Sequence, residues 1–549
     1  MKTKAKNINL SSLFILFLLI VGVVFRFYNL GWGSPFFFHP DERNIASAVT
    51  QLQFPNEMNP HFFAYGSLPI YAIYLLGVII NSIALLFNIV PVGQIFHVSF
   101  EMAIFASRIF SAFLSILTVL LTYKVASLYK GRYTKFLAFA FSLLSVGYLQ
   151  YAHFGTFEMW LTFFTLLLFY SQLIFIKNNS EKHFLLSTLL VGILISIKIS
   201  SVALLPIIFL VAAIQELKNK VKLTHALLRI FAYLILLCSV VLLVVFTTSP
   251  YIFLDFSSFI SSIKYETNVA TGSLPVFYTA GFINSQPLLF QALKVYPFLL
   301  NPILAILFIP TCIVFFWNAI EQKEKRMILL IIFLLALILS QYFLYVKWIR
   351  YYVPTLPFIY IILSWGITST IERFKKHSFF AVGILCCISF FYGTLYFSTV
   401  TLPTDSRVAA SEWSTHNISR NTYILSEVFD LGITPFNARF KNIELFNFYD
   451  LDLVPTLSEE LKKTIDTYPI IILPSQRIYK NRTLYPEKFS VSSVFYKELF
   501  SGRLGYRKIY ETRCSVFCKI LYGGNPVFSY EETANVFDRP QFYIFEKIK

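Results

Sequence analysis

Long apolar runs recur along this 549-residue chain, near residues 10–28, 69–90, 103–128, 134–151, 156–176, 184–214, 228–247, 297–319, 327–346, 354–371 and 378–399. One helix needs roughly 20 such residues to cross a hydrocarbon layer. Water is absent there, so backbone groups must be satisfied inside each segment, which makes the runs helices. Composition agrees, at 56 % hydrophobic residues with 61 Phe and 33 Tyr, more apolar surface than a soluble fold can bury. The expected fold class is an α-helical polytopic membrane protein with about eleven transmembrane helices.

The formal charge of +17 would suggest nucleic acid in a soluble protein. Here the basic residues concentrate in short loops, "KGRYTK" (130–135), "KNNSEKH" (177–183), "QELKNKVK" (215–222), "EQKEKR" (321–326) and "ERFKKH" (372–377). The positive-inside rule explains them without a nucleic-acid partner. "MKTKAKN" followed by an apolar run lacks a small-residue cleavage site, so it reads as an uncleaved first helix with a cytoplasmic N-terminus. Placing every basic loop inside has two consequences. The run 184–214 must break into two short crossings around Lys198, and the run 69–90 must make no net crossing. The protein is then a multi-pass protein of the plasma membrane. Its outer face carries residues 29–102, 151–157, 248–296, the "KWIRYY" stretch and the C-terminal part.

Two domains are expected, a transmembrane one over 1–400 and a soluble α/β extracytoplasmic one over 401–549, where short β-rich runs alternate with polar turns. Cys238, Cys312, Cys386 and Cys387 lie in apolar runs and read as packing residues. Cys514 and Cys518 supply too few ligands for zinc, and on an oxidising face a disulfide fits them better.

Charged residues make up only 14 % of the chain, yet "FFFHPDERN" (36–44) groups several behind three phenylalanines. Asp41 and Glu42 read either as acidic caps of a helix opened by Pro40 or as carboxylates whose pKa an apolar interface raises toward that of a general base. Glu158 opens an apolar run five residues after His153, with the same two readings. Lys198 sits mid-membrane at a cost of about 2.5–3.5 kcal/mol on insertion scales, which calls for a cavity, a partner, or snorkelling to an interface. Lys347 and Arg350, bracketed by Trp348, Tyr351 and Tyr352, read as an interfacial anchor or as cations for a phosphate, with arginine able to bind it bidentately. No P-loop, Rossmann glycine signature, HExxH or serine-hydrolase elbow is present. A transporter or flippase for an anionic lipid would also use these cations, but no inverted repeat supports it.

"FHPDERNIAS", "NPHFFAYGSLPIYAIYLLG", "ASRIFSAFLSILTVLLTYKVASLY", "QYAHFGTFEMWLTFF", "GILISIKISSVALLP", "SPYIFLDFSSFISSIKYETNVATG" and "KWIRYYVPTLPF" follow one another in this order. In that order they resemble polyprenyl-phosphate-dependent transferases of the C-type membrane glycosyltransferase superfamily, near the protein O-mannosyltransferase and aminoarabinose transferase branch. The resemblance implies transfer of a hexose or pentose, with inversion, from a lipid-phosphate-linked donor to a protein, lipid or glycan acceptor on the outer face. It puts the catalytic carboxylate on Asp41, with Glu42 beside it. The second acidic position falls on Glu158, where aspartate is commoner. Lys198 matches the intramembrane lysine and Arg350 the arginine of the RY-x-x-P stretch. His61, Tyr65, His153 and Lys347 are expected to contact sugar, phosphate or acceptor. No metal and no cofactor are implied.

Overall fold

The computed structural model describes residues 10–218, 222–373, 378–428 and 430–548. The N-terminal basic segment and parts of the basic loops at 215–222 and 372–377 lie outside them. Among the described residues nine helices are long and apolar enough to cross a membrane, and ten if one bent pair counts as a span. The chain is an α-helical polytopic membrane protein with a C-terminal α/β region.

Ten helices lead through the first half: α1 (Leu10–Phe27), α2 (Pro40–Thr50), α3 (Ser67–Leu86), α4 (Phe100–Ala126), α5 (Thr134–Leu143), α6 (Val146–His153), α7 (Glu158–Asn178), α8 (Glu181–Ile197), α9 (Leu205–Lys218) and α10 (Leu223–Thr248). The bent pair is α5 and α6, 45° apart. Further helices Pro302–Glu321, Lys325–Tyr342, Leu356–Ile371 and Ser378–Tyr396 complete the membrane body.

Contacts at the basic loops join them in two groups. Arg326 Nη1 donates to Leu128 O at 2.7 Å, the Arg132 amide to Glu372 at 2.7 Å, and Gln215 to Ile176 O at 2.8 Å. Two expectations about the trace meet the structure differently from their lengths alone. Lys198 has extended backbone and separates α8 from a 3₁₀ turn and α9, so the run 184–214 is two short helices. α3 spans 20 residues and could cross, but the chain after it returns alongside it. Asn81 Nδ2 donates to Ile95 O at 3.1 Å and His97 O at 2.9 Å, and Tyr74 donates to Phe96 O at 2.9 Å. α4 then begins beside the first loop, where Ser34 bonds Glu101 at 3.1 Å. The stretch between α1 and α4 therefore enters and leaves on the same face.

On that face a five-stranded sheet forms from β1 (Tyr423–Glu427), β2 (Asn442–Phe446), β3 (Ile470–Leu473), β4 (Tyr506–Glu511) and β5 (Tyr543–Lys547), in the order β2-β1-β3-β5-β4. β2, β1 and β3 are parallel, with Ile424 opposite Ile443 and Ile470, while β5 runs antiparallel between β3 and β4. Strand β3 is buried on both faces, as the continuous "IIIL" run demands. Cys514 and Cys518 form a disulfide. Residues 528–538 tie the sheet region to the membrane body: Gln150 Nε2 donates to Ala534 O and to Asp538, both at 3.1 Å, and Lys294 donates to Phe528 O at 2.9 Å.

Candidate functional site

α2 starts with Pro40 in its first turn, so Asp41 and Glu42 project from consecutive helical positions about 100° apart. They meet different surroundings. Glu42 is fully buried and receives Arg108 through Nε at 2.9 Å and Nη2 at 2.6 Å, with the Gly155 amide adding a third bond at 2.6 Å. Arg108 in turn donates to Leu30 O and Trp32 O and lies over the Trp32 ring. This cluster joins α2, α4, the first loop and the turn before α7. Glu42 is held inside this cluster and does not line the cavity that Asp41 faces.

Asp41 points instead into a cavity of about 670 Å³. Arg350, at the start of the turn that leads into Leu356–Ile371, donates Nη1 to Asp41 and lies over Trp348 and Tyr351. Glu158 opens α7 at the same wall, and Lys198 comes from the break between α8 and α9. The Lys198 ammonium makes no ion pair among the described residues and sits over the rings of Tyr351 and Tyr65, at 4.7 and 5.6 Å. Asp41, Tyr65, Glu158, Lys198 and Arg350 are thus brought together.

His61, His153 and Lys347 are not. The His61 side chain is 65 % exposed and 3.9 Å from Asp255. The ring of His153 bonds Leu149 O at 2.8 Å and Tyr28 O at 3.0 Å and borders a separate cavity of about 320 Å³. Lys347 spends its ammonium on Ser285 at 3.0 Å and Tyr345 O at 2.9 Å. Each is held by nearby groups that a one-dimensional pattern does not show.

Polar residues absent from the sequence expectation complete the wall: His39, Glu266, and from the C-terminal region Arg477 and Glu532, which pair at 3.2 Å. Glu266 lies in the "KYETN" stretch of the helix Phe256–Thr271, a lone acid at the end of a polar segment. Arg477 and Glu532 had no local signal, since only the tertiary docking of the C-terminal region brings them to the cavity. Buried polar atoms without a hydrogen-bond partner also gather here, on His39 Nδ1, Thr156 Oγ1, Glu158 Oε2, Arg350 Nε and Glu532 Oε2. Such atoms call for an explanation, and a ligand or water in the cavity would supply their partners.

Electrostatics separates the carboxylates. Burial alone would raise Asp41, but the guanidinium of Arg350, with His39, Lys198 and Arg477 behind it, holds its pKa below the ordinary value. The expected upward shift at an apolar interface is therefore reversed, with Arg350 the leading cause among several. Glu266 goes the other way, because burial outweighs the pull of Arg350 and Lys198. Burial lowers His39 to about 4, so its ring is neutral at pH 7.

A polytopic helical body thus brings carboxylates and cations into one cavity beneath an α/β region. Residues 92–244 match the family model for dolichyl-phosphate-mannose-protein mannosyltransferase. That match covers less than a third of the chain and agrees with the resemblance drawn from the motifs. No curated protein matches the chain. Among solved structures it is similar to ArnT from Cupriavidus metallidurans in the apo state, at 11 % identity over 85 % of this chain and 93 % of that one, TM-score 0.46. The same protein bound to undecaprenyl phosphate gives 11 % identity, 85 % and 94 % coverage, and a TM-score of 0.44. The Archaeoglobus fulgidus oligosaccharyltransferase tethered to an acceptor peptide gives 10 % identity, 97 % and 88 % coverage, and 0.49. No residue role is carried over from similarity of that degree.

Proposed function

We propose that the chain transfers a sugar, with inversion, from a polyprenyl-phosphate donor to a hydroxyl of a protein, lipid or glycan acceptor on the extracytoplasmic face of the plasma membrane. The observation that carries this reading is the Asp41–Arg350 pair in a cavity also lined by Glu158 and Lys198. A donor phosphate competes with Asp41 for the Arg350 guanidinium, which bonds phosphate oxygens in the same forked geometry. Asp41 then loses its main counterion and becomes a stronger base.

In the transfer step the acceptor oxygen bonds to the anomeric carbon, the anomeric carbon–phosphate oxygen bond breaks, and Asp41 takes the hydroxyl proton. Polyprenyl phosphate leaves with its charge held by Arg350 and Lys198, fixed cations of the kind that stabilise charge developing in a transition state. Glu158 and Tyr65 orient the sugar or acceptor. No metal takes part in this reading, so activity should survive EDTA.

The test is sugar transfer from lipid-linked donor in membranes carrying Asp41→Asn. Full activity in that variant overturns the base assignment. Lipid translocation without sugar transfer in reconstituted vesicles would favour a flippase instead.

A further inference from the structure

The short helix Val516–Leu521 lies away from the cavity and takes no part in the proposed reaction. Its inner side is anchored: Cys518 and Leu521 are buried, Tyr522 stacks on Phe298 at 6.1 Å, and Cys518 Sγ accepts from Arg539, whose Nε reaches Thr399 O at 3.1 Å. Its outer side is not covered. Val516 is 72 % exposed, Phe517 59 % and Ile520 37 %, with Phe528 at 38 % close by. The Cys514–Cys518 disulfide closes the turn that carries Val516 and Phe517, and Ile520 lies on the helix just after it.

Location decides what covers this face. Phe298 directly precedes the helix Pro302–Glu321, and Thr399 directly follows Ser378–Tyr396, so the loop rests on the cavity-face ends of two membrane spans. Those spans turn Ile303, Ile306, Phe390 and Phe391 outward. In a bilayer these side chains face acyl chains, and the apolar face of the loop continues the same surface at its upper edge. Lys519 and Arg513 are exposed beside it, cations of the kind that lipid phosphates attract.

We propose that the segment Cys514–Leu521, pinned by its Cys514–Cys518 disulfide, is an interfacial wedge, with Val516, Phe517 and Ile520 seated in lipid at headgroup depth. An amphipathic face of this kind binds a membrane through its buried apolar area and its flanking cations. The wedge sits a few residues before 528–538, which supply Glu532, Thr533 and Phe537 to the cavity wall. Lipid contact therefore helps fix the cap over the cavity.

The test uses the full-length protein reconstituted alone in phosphatidylcholine vesicles, with and without acyl-brominated phosphatidylcholine. Phe517→Trp keeps the site apolar, and Leu453→Trp, at a position 77 % exposed on the sheet region, serves as the aqueous control. Emission added by Phe517→Trp over the six native tryptophans should be blue-shifted, quenched at least twofold by brominated lipid, and shielded from acrylamide. Emission added by Leu453→Trp should be quenched by acrylamide alone. Acrylamide quenching of the Phe517→Trp increment without bromolipid quenching overturns the wedge and leaves the face to a protein partner.

Discussion

Glutamine at position 42 tests whether the two adjacent carboxylates have been correctly separated. Glu42 and Arg108 are both fully buried, joined by two charged hydrogen bonds, and Glu42 also accepts from the Gly155 amide. Removing one partner of a buried pair leaves the other charge stranded, at a cost of about 3–5 kcal/mol. That is a large share of the roughly 5–15 kcal/mol that stabilises a folded protein. Glu42→Gln should therefore lower the unfolding temperature in detergent by several degrees and reduce folded yield. Arg108→Gln should do the same, and the double variant should recover much of the loss, because no buried charge remains unpaired. The surviving Glu42→Gln protein should keep a turnover within a few-fold of wild type. Asp41→Asn, at a partly exposed carboxylate, should lower the unfolding temperature less than Glu42→Gln does and cut turnover about 10²–10⁴-fold, the usual range for a general base. Thermal unfolding and donor turnover measured on the same preparations decide it. An unchanged unfolding temperature with lost turnover in Glu42→Gln refutes the structural assignment.

Arg350→Lys keeps the charge but loses the fork, and should raise the KM for lipid-linked donor about 10-fold, equivalent to about 1.4 kcal/mol; an unchanged KM counts against a phosphate role. Lys198→Met should weaken turnover more than folding, since Lys198 has aromatic contacts and no ion pair to lose among the described residues. Acid stability should reflect Asp41, whose folded pKa is depressed: its contribution is present above the unfolded value of about 3.9 and disappears as pH falls through the lower folded value. Glu531 is pushed up to about 7 by burial and by Glu532, so stability should fall as pH rises from about 4.5 towards 7; Glu531→Gln should flatten that slope in pH-dependent unfolding.

The apolar runs made the helical body legible, because run length and the need to satisfy backbone bonds in lipid act on each segment by itself. Lys198 was legible for the same reason, since a cation in an apolar run forces a break or a cavity, and here it does both. The joining of Asp41, Glu158 and Arg350 followed from topology, because each lies at the same end of its helix. Side-chain direction was not legible. Asp41 and Glu42 are neighbours in sequence, and only Arg108, 66 residues after Glu42, decides which of them turns inward to a structural partner. Lys347 and Arg350 differ likewise through Ser285, a residue no motif connects to them. Arg477 and Glu532 reach the cavity from another part of the chain altogether.

A carboxylate held below its ordinary pKa looks ill suited to accept a proton, yet that shift belongs to Asp41 with Arg350 facing it. Its largest opposing influence, burial, acts to raise the pKa and remains when the guanidinium turns to another anion. Occupation of Arg350 by a phosphate therefore weakens the strongest lowering influence and leaves the raising one. On the proposed reading basicity appears only after the donor is seated, which would link the base to its substrate. In kinetic terms, the acid limb of kcat/KM reports free Asp41, and that of kcat reports the donor complex. The apparent pKa from kcat should be the higher of the two, and Asp41→Glu should preserve the order. Equal values, or the reverse order, would mean that donor binding leaves the Asp41–Arg350 pair intact.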